Sequence, residues 1–155
     1  MILKDREIFD FNEIEEIINN TQLCYVAMSL NDEPYVLPFN FAYENRTIYL
    51  HSAPEGKKID ILEKNPKVSI AFCPDHELFH RHENVACTYA MKYKSVVLSG
   101  KVEFITDFDE KILLMNKVMK KYTGRDDFKY NAPAVNNVKI YKVVATEIKG
   151  KKFKR

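Results

Sequence analysis

Two hydrophobic periodicities divide the chain. Ile14, Ile17 and Ile18 recur at helical spacing, which predicts a helix from Phe11 to Asn20, with Asn12 as candidate N-cap and Asn19-Asn20-Thr21 as its end. Gln22 to Leu30 reads as a strand apolar on both faces, as in a barrel wall that is also packed on its outside. Asn31-Asp32-Glu33-Pro34 is a turn. Tyr35 to Tyr43 is too rich in β-branched and aromatic residues for a helix, and Pro38 would break one. Glu44-Asn45-Arg46 has hairpin length, and Thr47 to His51 resumes the extended run. Ser52-Ala53-Pro54-Glu55 has the S-x-x-E form of a capping box with an early proline, predicting a helix over 55–64 closed by Asn65-Pro66.

Further on, Lys67 to Cys73 alternates as a strand that Pro74 stops, and Asp75 to Asn84 is polar. Val85 to Ile105 carries strand signals broken at Gly100, which implies a bend, bulge or turn. A helix is predicted from Asp107 to about Tyr122, with an apolar stripe of Ile112, Leu113, Met115, Val118 and Met119 and a stop at Thr123-Gly124-Arg125. Asn131-Ala132-Pro133 is expected in a loop, and Val138 to Ile148 as the last strand. Residues 1–10 read as a short extension and 149–155 as a basic, solvated tail. With no repeat or linker, 1–155 reads as a single domain, mainly β with flanking helices; pattern alone allows a sandwich or a barrel.

Composition narrows the function. A net charge of +2 is too small to argue for nucleic acid. No apolar run approaches the ~20 residues of a membrane span and the N-terminus is no signal peptide, so a cytoplasmic protein is expected. Three cysteines without C-x-x-C spacing are expected to be reduced thiols, and Cys24 and Cys87 to be inert strand residues. No G-x-G-x-x-G or Walker sequence is present.

Two stretches carry candidate chemistry. At the predicted helix start after Ser52, free backbone N–H groups, the close approach that Gly56 allows and the charges of Lys57 and Lys58 suit a phosphate; the alternative is that Ser52 only caps the helix and the lysines face water. Cys73, His76, His80, His82 and Cys87 form the second. His76 and His80, four apart, would align on a helix face and could supply metal ligands, although their spacing fits no tight zinc template.

The order P-Y-V-x-P-x-N-F (Pro34 to Phe41), then Y-L-H-S-A (Tyr49 to Ala53), then P-E-G-K-K-x-D-x-L-x-x-N-P-x-V (Pro54 to Val68) resembles the flavin-binding split-barrel superfamily of pyridoxamine 5'-phosphate oxidases and Nim-type nitroimidazole-resistance reductases. Tyr93-Lys94-Ser95-Val96-Val97-Leu98-Ser99-Gly100 resembles the Y-x-S-V-x-x-x-G strand of the Nim-like branch. The resemblance spans roughly residues 20 to 148 and implies an FMN-binding split β-barrel, with FMN in a groove between the two chains of a homodimer. It implies that Pro38, Phe39 and Asn40 face the isoalloxazine edge, that His51 and Ser52 meet the ribityl chain and phosphate, and that Lys57 and Lys58 grip the phosphate. Tyr93, Ser95 and Val96 would complete the pocket from the partner chain. The implied activity is electron transfer from a reduced nicotinamide to a small, nitroaromatic-like acceptor. Pyridoxamine phosphate oxidation itself is not expected: apolar residues and Asn40 replace the basic residues that branch uses between Val36 and Asn40, and no Arg-rich terminus is evident after Val144. Alternatives are a non-catalytic flavin- or haem-binding protein, with a histidine of the 76–82 loop as axial ligand, and a metal-binding regulator built on that loop.

Overall fold

The computed structural model describes residues 3–153. Met1, Ile2 and the last two residues of the predicted tail, Lys154 and Arg155, lie outside the described residues. The fold is mainly β with flanking helices, as expected. Strands β1 (Glu7–Ile8), β2 (Cys24–Leu30), β3 (Glu33–Phe39), β4 (Ala42–Glu44), β5 (Thr47–Ser52), β6 (Lys67–Phe72), β7 (His76–Phe79), β8 (Ala90–Ile105) and β9 (Lys139–Phe153) form one antiparallel sheet. Its order is β3-β2-β6-β8-β9-β5-β4, with β1 added to β9 and β7 to β8. The sheet wraps a main apolar core, containing Val26, Ile48, Leu50, Ile70, Phe72, Val96, Leu98, Tyr141 and Val143, and Ile105, Leu114 and Ile140 form a smaller one.

Helix α1 (Phe11–Asn20) buries Ile14, Ile17 and Ile18, but its N-cap is Asp10, whose carboxylate accepts the Asn12 N–H at 3.0 Å; Asn12 is already helical. β2 is not apolar-packed on both faces of a single chain: Cys24, Val26 and Met28 point inward, and Tyr25 is 52% exposed. Both hairpins turn through paired left-handed residues, Asn31-Asp32 (φ 52° and 63°) and Asn45-Arg46 (φ 49° and 61°), the twist that suits two-residue connections. The run from Tyr35 to Tyr43 breaks at Asn40-Phe41, where β3 hands over to β4.

The predicted capping box is not formed. Ser52 ends β5 and donates its hydroxyl to the Ala53 carbonyl at 3.0 Å, while α2 (Lys57–Lys64) starts from Gly56 with no side-chain cap. The Asp75–Asn84 stretch holds a strand, β7, rather than continuous loop. β8 runs through Gly100 with a bulge opposite Thr146, whose hydroxyl donates to the Ser99 carbonyl at 3.0 Å. In α3 (Phe108–Thr123), Asp107 caps by accepting the Glu110 N–H at 2.9 Å, and left-handed Gly124 ends the helix. Leu114 and Val118 are its buried positions, whereas Leu113, assigned to the apolar stripe, is 59% exposed. Asn131 caps a short helix, α4 (Ala132–Asn136), where a loop was expected. The supposed tail is strand as far as Phe153: 149–153 pairs with β8 and Gly150 packs against Ile8 and Ile14.

Candidate functional site

The end of β5, the 53–56 connection and the first turn of α2 make one corner of the molecule. Gly56, with φ 129°, stands where an L side chain is strained, and nothing lies within 4 Å of where its Cβ would be. No side chain caps the first N–H groups of α2; those of Ile59 and Asp60 donate to the Gly56 carbonyl, which leaves those of Lys57 and Lys58 at the positive end of the helix. Lys57 leans toward β3, with its ammonium 4.6 Å from the Tyr35 ring centre and 3.6 Å from the Glu33 carboxylate, an exposed pair. Lys58 also leans on β3 but lies half-buried, 5.5 Å from the Phe39 ring centre.

Phe39 joins the two halves of the corner. It is buried at the end of β3, and its ring meets Tyr141 edge-on with centroids 6.3 Å apart. The Tyr141 phenol is buried without a hydrogen-bond partner; burial pushes it up to about 12, opposed by the neighbouring Ser52 hydroxyl. The Nδ1 of His51 is likewise buried and unpartnered, and burial followed by the Lys58 charge lowers that imidazole below its ordinary value. Across the ladder from Ser52 stands Lys139, 3.8 Å from the Glu63 carboxylate of α2. Sequence reading missed Lys139 and Tyr141, because only the β5–β9 register brings them to Ser52 and Leu50.

Phe39, His51, Ser52, Lys57 and Lys58 thus gather at one corner. Pro38 and Asn40 are exposed beside it, at the open edge of the sheet, where β3 pairs only with β2. Tyr93 and Ser95 do not join them. Ser52 pairs with Lys139 at the start of β9, whereas Tyr93 and Ser95 pair with Phe153 and Lys151 at its far end. Val96 points into the core and is 0% exposed, so only its backbone could meet a ligand. On the outer face, the β3-β2-β6-β8 register puts Pro38, Tyr25, Ala71 and Val97 in one row, with Val36 and Ala27 beside it; all six are exposed.

The rival ligand set does not assemble. His76 lies in a strand, not a helix, so the four-residue spacing aligns nothing, and His80 stacks on Tyr89 with ring centres 4.7 Å apart. Among the described residues no three His, Cys, Asp or Glu side chains come together as a metal site. All three cysteines are free; Cys24 is buried and its thiol is pushed up to about 12 by that burial. No helix among the described residues is long and apolar enough to cross a membrane.

Comparison with known proteins identifies the family and the fold. The sequence model of the family described as pyridoxamine 5'-phosphate oxidase matches residues 10–152. A crystal structure of a candidate 5-nitroimidazole antibiotic resistance protein from Bacteroides thetaiotaomicron superposes with a TM-score of 0.85 at 44% identity, covering 95% of this chain and 86% of that one. The flavocytochrome Anf3 of Azotobacter vinelandii (TM-score 0.85, 18% identity, 99% and 73% covered) shares the fold. So does an FAD and heme binding protein of Mycobacterium smegmatis (0.84, 13%, 97% and 74%). A curated relative, an uncharacterized protein of Rhizobium meliloti, is 34% identical over 58 residues; the match spans 37% of this chain and 38% of that protein. With a family match that runs from the cap of α1 to the end of β9, and a split-barrel fold shared with flavin-binding proteins, the chain belongs to the pyridoxamine 5'-phosphate oxidase family.

Proposed function

We propose that the chain is a flavin-dependent oxidoreductase that holds FMN between two copies of itself and passes electrons from a reduced nicotinamide to a small acceptor of the nitroaromatic class. The observation that carries this reading is the α2 corner. Uncapped helix N–H groups, Lys57, Lys58 and Lys139 offer positive charge to a phosphate, and the unpartnered His51 Nδ1 beside Lys58 offers an acceptor or donor to the adjoining hydroxyls. The residues present fit the group. When bound, the flavin supplies the two-electron redox chemistry, and the chain supplies placement and electrostatics. Lys58 anchors the phosphate end, Pro38 leaves the β3 edge without a ladder donor there, and Asn40 can both donate to and accept from a ring edge.

The same geometry supports a second copy. Tyr93 and Ser95 are too far from the corner to serve their own chain, and the exposed apolar row of Tyr25, Val36, Pro38 and Val97 is the kind of face that a partner covers. Purified protein is expected to show flavin absorption, to lose it on addition of a reduced nicotinamide and to regain it with a nitroaromatic acceptor. Protein that will not take up FMN refutes the reading. A haem Soret band in its place would move the assignment to haem, and bound flavin that no nicotinamide reduces would move it to a flavin carrier.

A further inference from the structure

Tyr141 is fully buried on β9, and its phenol oxygen has no hydrogen-bond partner. Its ring packs edge-on against Phe39, with centroids 6.3 Å apart, and against Phe104, at 5.5 Å. Phenylalanine would make both ring contacts and spare the fold a buried, unsatisfied hydroxyl. Packing does not account for that oxygen; its place in the β5–β9 register does. Tyr141 stands opposite Leu50, and two positions along Ser52 stands opposite Lys139, so Ser52 is the diagonal neighbour of Tyr141 on the same face. That separation is within reach of an aromatic side chain, and the Ser52 hydroxyl is the polar group beside the phenol.

Ser52 is where the buried phenol meets the α2 corner. It is buried itself, and its hydroxyl donates to the adjacent Ala53 carbonyl at 3.0 Å. A serine hydroxyl has one proton to give and two lone pairs, and it turns about a single bond. Held on Ala53, it leaves the phenol unpartnered. Burial pushes the phenol up to about 12, so at neutral pH it carries a proton to donate. Both rings that flank Tyr141 lie under a lysine of the corner. The Lys58 ammonium is 5.5 Å from the Phe39 ring centre, and that of Lys139 is 5.2 Å from that of Phe104. The charges that would hold an anion therefore stand on both of the phenol's ring neighbours.

We propose that Tyr141 is a positioning residue for the flavin phosphate: on binding, the Ser52 hydroxyl leaves the Ala53 carbonyl, donates to a phosphate oxygen and accepts the hydrogen bond of the Tyr141 phenol. No proton changes owner; two hydrogen bonds replace one, and the buried phenol gains its partner. That the anion is the phosphate of FMN rests on the flavin reading. A flavin without that phosphate leaves Ser52 on Ala53, so the phenol also separates FMN from riboflavin. The test uses the full chain freed of flavin, with FMN and riboflavin as probes in fluorescence titrations. Tyr141→Phe should weaken FMN about fivefold, the weight of one neutral hydrogen bond, and leave riboflavin affinity unchanged. Ser52→Ala should weaken FMN at least as much, and adding Tyr141→Phe to it should cost nothing further, as expected of two groups in one chain of hydrogen bonds. Urea unfolding of flavin-free Tyr141→Phe should show stability equal to or above that of the parent, since the hydroxyl has no partner to lose. Equal FMN affinity in Tyr141→Phe and the parent, equal losses for the two flavins, a Tyr141→Phe loss that persists beside Ser52→Ala, or a destabilised flavin-free variant overturns the role of Tyr141 and leaves the flavin reading standing. A parent chain that binds FMN no more tightly than riboflavin overturns the phosphate corner and the role of Tyr141 together, and one that binds neither overturns the flavin reading. Should riboflavin bind too weakly to compare, the coupling with Ser52 decides alone.

Discussion

Lys57 and Lys58 are adjacent in sequence but differ in surroundings, and that difference separates their expected roles. Lys57 is exposed and already shares its charge with Glu33, an arrangement of small energetic weight. Lys58 is half-buried against Phe39 and close enough to His51 to lower the affinity of that imidazole for protons. Lys58→Ala should weaken FMN binding by roughly 1.5–3 kcal/mol, the range for a lost charge-assisted contact, and Lys57→Ala by clearly less, measured by titration of flavin fluorescence. His51 makes a second prediction at this scale. Its folded value lies below the ordinary 6.5, so between the two the unfolded chain binds more protons. The stabilisation is fully present above 6.5 and is lost as pH falls through the lowered value. Glu13, held below its usual 4.5 chiefly by its hydrogen bond from Lys152, loses its contribution only under 4.5. His51→Gln should flatten the stability–pH slope just under 6.5 and leave the acid limb under 4.5 intact, as read from urea unfolding of FMN-free protein.

The β8–β9 ladder shows how much an element depends on one absent side chain. A Cβ on Gly100 would sit 2.5 Å from the Val144 carbonyl oxygen and 2.8 Å from a Val143 methyl, and backbone cannot step aside cheaply. A Cβ on Gly150 would meet Ile14 Cγ1 at 2.9 Å and Ile8 Cβ at 3.2 Å, both in buried side chains. Gly100→Ala is expected to cost about 2–4 kcal/mol and Gly150→Ala about 1–3 kcal/mol, compared by thermal or urea unfolding. Elements governed by short-range rules were legible in the sequence: the isoleucine face of α1, the proline-bounded end of α2, the break at Gly100, and left-handed Gly124 after α3. The misread elements depend on partners distant in sequence. β7 is too short and polar to announce itself and exists because β8 offers it an edge. Ser52 lost its capping role because the β5–β9 pairing holds it in a strand. The glycine and lysines of the site could be read from local spacing, but Lys139 and Tyr141 belong to a strand more than eighty residues further on.

Across the whole molecule, the outward row of Tyr25, Val36, Pro38 and Val97 sets apart the two roles of the β-wall. Tyr25→Asp should leave the folding free energy within about 0.5 kcal/mol, because the side chain is half exposed in a single chain. The same substitution should shift sedimentation from dimer to monomer and lower FMN retention in step; a dimer that survives with its flavin would separate the exposed row from the flavin groove. A cavity of about 520 Å³ between β4 and α3 has a different character: its Lys117 and Lys120 are paired with Glu44 and Asp126, and Lys121 donates to the Asn19 carbonyl. The added residue at Thr146 has a further effect. Up to it, odd-numbered positions of β9 (Tyr141, Val143) point inward, and after it even-numbered ones do (Ile148, Gly150), so a single amino acid reverses the phase of the strand. Were the strand to run through Thr146 in unbroken alternation, Lys149 and Lys151 would turn into the oily interior and Ile148 out to water, whereas deleting Thr146 altogether would leave Ile148 and Gly150 facing in. With Thr146 in place, the lysine-rich end of the chain can be strand only because that one position is out of step.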